Sequence, residues 1–197
     1  MRSQAARQAV SEQVRVLAEE LKSHRKAQNL SLEKLSARSG VSRSMISKIE
    51  RGETAPSTGT LSQLAEALGT TFSQLMAQPV EREFVVIPAA RQPVLRDEVS
   101  GYMRRCISPV LPGRGIDWVL NTLPPSGTTG EFVAHRRGVE EYIYVLSGQL
   151  KASVGDRSTV LDTHDALYFE ADETHVFTNV GDGPCEYFLI INSDRAR

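Results

Sequence analysis

The chain has 197 residues, of which 40% are hydrophobic and 24% charged, with a formal net charge of −1 at pH 7. That size allows one large or two small domains with proper cores, and the near-neutral total excludes a uniformly basic nucleic-acid binder. The charge is unevenly spread: residues 1–79 hold eleven Lys/Arg against seven Asp/Glu, whereas residues 80–197 hold twelve against seventeen. A basic first part and an acidic second fit contact with a polyanion by the first alone. Two cysteines, Cys106 and Cys185, with no CxxC pair, fit a reducing compartment and are expected as buried small hydrophobes. No apolar run approaches a membrane span, and the polar start MRSQAARQAVSEQ lacks a signal peptide's apolar stretch. A soluble, cytoplasmic protein with a frayed N-terminal extension is expected.

Val14, Leu17, Ala18 and Leu21 recur at helical spacing and predict an amphipathic helix over about residues 12–27. Ser31 can cap the next helix, with Lys34 where a capping box would place Glu, and Leu32 and Leu35 face inward. Ser39-Gly40-Val41 is a turn in which Gly40 takes a positive φ without penalty. Ser42 then caps a third helix with Met45, Ile46 and Ile49 as its buried side and Gly52 just past its end. Pro56 breaks the chain. Leu61, Leu64, Ala65 and Leu68 mark a fourth helix ended by Gly69, and Phe72, Leu75 and Met76 a fifth. Two short helices across a tight turn, the second polar on one side, have the layout that places a recognition helix in the DNA major groove.

The run Gly40-Val41-Ser42, the segment Ile46-Ser47-Lys48-Ile49-Glu50-Arg51-Gly52, Pro56 and the LAEALG stretch at 64–69 resemble the XRE family of phage-repressor-like helix-turn-helix regulators. The resemblance covers about residues 13–77, and Ser36 stands where that family usually has Ala. It implies a buried ion pair between Arg25 and Glu50 that ties the first helix to the third. Arg43, Ser44, Ser47 and Lys48 lie toward the outward side of the recognition helix. Arg43 is long enough to meet guanine O6 and N7, and Lys48 can do the same or hold phosphate. Ser31, Ser42 and Arg51 match positions that touch the DNA backbone.

Ala77 to Glu83 is short and polar, and residues 78–83 read as a linker. Short β-rich runs separated by Gly or Pro follow: 84–88, 102–108, 116–123, 131–135, 141–147, 149–154, 166–169, 175–179 and 185–192. So many short strands predict an antiparallel sandwich or barrel. The order of His135, Glu141 and Gly148, then His175 and Asn179, resembles the cupin family, best in YVLSG at 144–148. Arg137 replaces the family's second His, and Glu170 and Asp172 replace its usual Pro and Gly. The fold class expected is therefore α+β. A five-helix all-α helix-turn-helix domain over 12–77 precedes an all-β cupin double-stranded β-helix, or jelly roll, over 84–193.

Alternation points Glu141, Ile143 and Val145 to one side of their strand. An inward Glu needs a partner or a cation. Metal cupins bind a divalent ion with two or three His and one Glu, so the resemblance implies His135, Glu141 and His175 as ligands for zinc or iron. The alternative is a metal-free pocket in which Arg137 pairs with Glu141. Arg136 or Arg137 can also meet a carboxylate ligand at the barrel mouth, or be surface charge. Trp118, Tyr142, Tyr144 and Phe177 line the pocket or belong to the core, and His164 sits in a surface turn. The effector site expected is Arg137, Glu141, Tyr144 and His175.

Chains of this layout are mostly one-component transcriptional regulators. The resemblance implies a homodimer on a double-stranded DNA operator and a small-molecule effector, an amine, amino acid or sulfur compound, in the cupin domain. No Ser-His-Asp or Cys-His pattern supports covalent catalysis, and the chain is expected not to be an enzyme. The alternative is a metal-dependent cupin enzyme of the non-haem iron oxygenase or epoxidase type, with the helix-turn-helix as an accessory.

Overall fold

The computed structural model of the protein describes residues 2–76, 84–111 and 114–194, with side chains from Val14 onward. Five helices come first: α1 (Arg2–Ala27), α2 (Leu32–Ser39), α3 (Arg43–Glu50), α4 (Thr58–Leu68) and α5 (Phe72–Met76). The first helix is longer than its apolar stripe predicts. Ala5, Ala6, Arg7, Gln8 and Ala9 are good helix formers, so the polar start continues the helix where a frayed extension was expected. Local chemistry sets the other boundaries. Ser31 Oγ accepts from the Lys34 amide, Ser42 Oγ from the Met45 amide and Ser57 Oγ from the Thr60 amide, each at 3.2 Å. Gly40 stands at φ 72° between α2 and α3, in the left-handed region where a Cβ would be strained.

The core of the helical part is Leu17, Leu21, Leu35, Ile46, Ile49, Leu61, Leu64 and Leu75, each at most 1% exposed. Met45 departs from expectation. It is 40% exposed, because the helical period gives the inward positions to Ile46 and Ile49. The expected ion pair is present. Arg25 Nε and Nη2 donate to Glu50 Oε1 and Oε2 at 2.6 and 2.8 Å, and Nη1 donates to the Leu30 carbonyl at 2.7 Å.

The expected linker over 78–83 lies outside the described residues. Beyond it, nine strands among the described residues form two antiparallel sheets. They are β1 (Val94–Arg96), β2 (Met103–Cys106), β3 (Ile116–Leu123), β4 (Glu140–Ser147), β5 (Leu150–Val154), β6 (Arg157–Leu161), β7 (Ala166–Glu170), β8 (His175–Asn179) and β9 (Cys185–Asn192). The larger sheet runs β1-β2-β3-β9-β4-β7 and the smaller β6-β5-β8. Two predicted strands are absent. Residues 84–88 form no strand, with Phe84 and Val86 exposed, and Pro88 has no amide for a ladder. Residues 131–135 contribute a single bridge, Phe132 to His175. The polar strand β6, exposed at four of five positions, carries no apolar alternation to announce it. Cys106 and Cys185 are buried and free, and burial pushes their thiols up to about 12 and about 11.

The two parts share one continuous apolar core, which runs from Leu17 through Phe72 to Leu189. Polar contacts fix the seam. Both Asp117 carboxylate oxygens accept from the Ser73 amide, at 3.2 and 3.0 Å, and the Arg104 guanidinium lies 4.2 Å from the Phe72 ring centroid. Glu66 of α4 reaches His135 and Arg136 of the barrel.

Candidate functional site

Helix α3 presents an outward polar face. Arg43, Ser44 and Lys48 are exposed and Ser47 is half-buried, with the cap residues Ser31 and Ser42 exposed beside them. Arg43 Nη1 lies 3.1 Å from Glu33 Oε1, and both side chains are more than 60% exposed, so solvent weakens the pair and the guanidinium is readily released to another partner. Arg51 forms a two-pronged pair with Glu53, at 2.5 and 2.9 Å, and also donates to Ser47 Oγ. A phosphate would compete with Glu53 for it.

Strand alternation carries Glu141, Ile143 and Val145 into the barrel, as expected, and turns Tyr142 and Tyr144 outward. Glu141 is 1% exposed, and its Oε1 lies 3.2 Å from His135 Nε2 and 3.5 Å from His175 Nε2. One ligand atom from each of the three residues falls within 4.8 Å of the others. The far side of each ring fixes what the near side offers. His175 Nδ1 donates to the Glu173 carbonyl at 3.0 Å, so in the neutral ring Nε2 carries the lone pair that faces Glu141. His135 Nδ1 donates to Glu66 Oε2 at 2.9 Å, which leaves its Nε2 lone pair on the same point.

Lone pairs and a carboxylate converging in a buried site repel unless a proton or a cation lies between them. Glu141 Oε2 adds a buried oxygen with no hydrogen-bond partner among the described residues. The donor set therefore fits a divalent ion, and Glu66 and the Glu173 carbonyl occupy the positions that orient imidazole ligands. With a proton in the metal's place, His135 is an imidazolium. Burial opposes its charge, but hydrogen bonds to Glu141 and Glu66 outweigh burial and raise its pKa to about 9. Glu141 is held below the usual carboxylate range; burial works against this, and His135 and His175 overcome it.

These groups line a cavity of about 40 Å³ at the seam, with Glu66 and Phe72 contributed by the helices. Two expected effector residues are not there. The Arg137 side chain is 96% exposed and lies 3.9 Å from Asp172, because the turn after His135 carries it out of the barrel, so it does not pair with Glu141. Tyr144, on the outer face of β4, bonds His164 at 3.0 Å. Trp118 and Tyr142 are also on outer faces, and Phe177 is core. Reasoning from the sequence missed Glu66 and Arg104, both of which line the cavity.

A helix-turn-helix family matches residues 21–75 and a cupin domain family matches residues 119–191. The HTH-type transcriptional regulator SutR of Escherichia coli (strain K12) is 28% identical over 92% of this chain and 97% of its own. The chain thus combines a helix-turn-helix domain with a cupin domain, and the relatives that match it along most of its length are HTH-type transcriptional regulators. PuuR, another HTH-type transcriptional regulator of Escherichia coli (strain K12), is 24% identical over 82% of this chain and 86% of its own. Among solved structures, an HTH_3-family transcriptional regulator from Vibrio cholerae shares the fold at a TM-score of 0.77 and 24% identity, covering 92% of this chain and 97% of that one. No helix among the described residues is long and apolar enough to cross a membrane.

Proposed function

We propose that the protein is a one-component transcriptional regulator in which occupancy of the cupin cavity alters operator binding by the helical domain. One observation carries the coupling: Glu66, on helix α4 of the DNA-reading part, is hydrogen-bonded to His135 of the cavity. A ligand or ion that changes His135 changes a contact of α4, and a differential affinity for two arrangements of that seam is what allosteric coupling requires. Residues 12–77 are assigned to the reader and 84–193 to the sensor. On the reader, Arg43, Ser44, Ser47 and Lys48 face the bases, and Ser31, Ser42 and Arg51 the phosphates. His135, Glu141 and His175 would hold zinc or iron, which would act there as a Lewis-acidic anchor for a ligand. The working unit is a homodimer, since one helix-turn-helix covers one half-site and paired half-sites lie about 34 Å apart.

The test is selection of operator sequences with the full-length protein, followed by affinity measurements. Arg43→Ala is expected to cost about 1–3 kcal/mol at the selected operator and to relax the preference at one base pair. An equal loss on every sequence would reassign Arg43 to the phosphates. Metal analysis by mass spectrometry is expected to find one divalent ion per chain, absent from Glu141→Gln. The same metal content in both proteins would remove Glu141 from the site. The enzyme reading rests on the His-Glu-His set alone; iron-dependent turnover without selection of any operator would put it first.

A further inference from the structure

Arg104, on β2, is among the largest fully buried side chains of the protein, 1% exposed, and it is one of the residues that line the cavity. Its Nε and Nη2 have no hydrogen-bond partner among the described residues. No carboxylate among those residues forms an ion pair with it, although Asp117 and Glu141 line the same cavity. A buried cation with unmade hydrogen bonds is costly, and a fold keeps one where something completes it. The two unpartnered atoms form one edge of the guanidinium. That edge presents two parallel N–H donors, spaced to meet both oxygens of a carboxylate at once. The Phe72 ring, 4.2 Å from the guanidinium carbon, holds the fork in place.

We propose that the seam cavity binds a small carboxylate, or the carboxylate head of a larger molecule, with Arg104 Nε and Nη2 clasping its two oxygens. The proposal rests on the effector-binding reading above and narrows it: the unpartnered Nε–Nη2 edge offers two N–H donors, which a carboxylate can accept and a protonated amine cannot. Arg137, solvent-exposed beyond the barrel mouth, takes no part. Size adds a second constraint. A cavity of about 40 Å³ has room for little more than one water at roughly 30 Å³ each, so it admits the carboxylate head of a small acid such as acetate and not a larger body. Its helical wall is Ser62, Ala65, Glu66 and Phe72, so any ligand longer than its carboxylate head must displace α4 or α5.

The experiment uses the full-length, chelator-treated protein with ¹³C-labelled acetate as the probe, observed by NMR, and chloride at equal ionic strength as the control. Saturable broadening of the acetate signal is expected with Kd in the range of about 1–10 mM. Arg104→Met should lose it and Arg104→Lys retain part. The wild-type Arg104 Nε–H resonance should shift with the same concentration dependence, which tests the site even if the Met variant does not fold. Absence of saturation, an unmoved Nε–H signal, or undiminished binding by folded Arg104→Met each overturns the assignment and leaves a hydrated cavity only. Operator affinity of the same samples separates this from the regulator reading. Acetate held by Arg104 in a protein that selects no operator upholds the site and overturns the reading. Operator binding without acetate capture does the reverse.

Discussion

His135 stands between two carboxylates from different parts of the chain, and this has a measurable acid–base consequence. In the metal-free protein it is faced by Glu66 from α4, Glu141 from β4 and His175 from β8, with Arg136 as its neighbour. Its pKa of about 9 in the fold lies above the value of about 6.5 for an exposed imidazole. The stabilisation is therefore complete below about pH 6.5 and is lost as pH rises through about 9. Thermal unfolding of the chelator-treated protein is expected to fall more steeply over that window in wild type than in His135→Gln. Parallel profiles would mean that the ring is not held as an imidazolium. Added zinc should flatten the wild-type profile, since the metal then occupies the place of the second proton.

At the scale of elements, α4 has two occupations. Leu61, Leu64, Ala65 and Leu68 pack the helical domain, while Glu66, on another side of the same helix, faces the barrel. Glu66→Gln keeps the shape and removes the charge. Metal affinity is expected to fall about 10–100-fold, as when an outer partner of a ligating histidine is lost. Operator binding by the ligand-free protein should survive, because the packing stripe is untouched. Unchanged metal affinity in that variant would reduce Glu66 to a simple seam contact.

The elements also show what sequence can and cannot carry. The caps at Ser31 and Ser42 and the glycine between them are local chemistry, so the helix-turn-helix was legible. So was the inward set Glu141, Ile143 and Val145, which follows from a period of two. Glu66 was not, because the LAEALG stretch is fully explained by helical packing and its partner is 69 residues away. Arg104 does leave a signal in the sequence. It alternates with the buried Tyr102 and Cys106, and a charged residue in an inward-facing position invites a ligand. The motif position of Arg137 fixes no direction for its side chain, and the turn after His135 sends it outward.

For the whole molecule, the outer face of the larger sheet bears on assembly. Trp118, Ile190, Tyr142 and Tyr168 lie in register across β3, β9, β4 and β7, and the three aromatic side chains are 41–50% exposed. In the homodimer proposed above, this row is the apolar face that two copies would bury against each other. Trp118→Arg combined with Tyr168→Arg should sediment as a monomer and bind the operator more weakly, with its helical and strand content intact. A dimer that persists in the double variant would place the contact elsewhere.

The bond between Glu66 and His135 also bears on how such proteins can be recombined. A chimera that joined this helical domain to a foreign barrel would take Glu66 away from the imidazole it orients and bring Phe72 against a strand without Arg104. The natural unit of exchange is thus larger than either domain: it includes the last two helices of the helical domain together with the barrel they close.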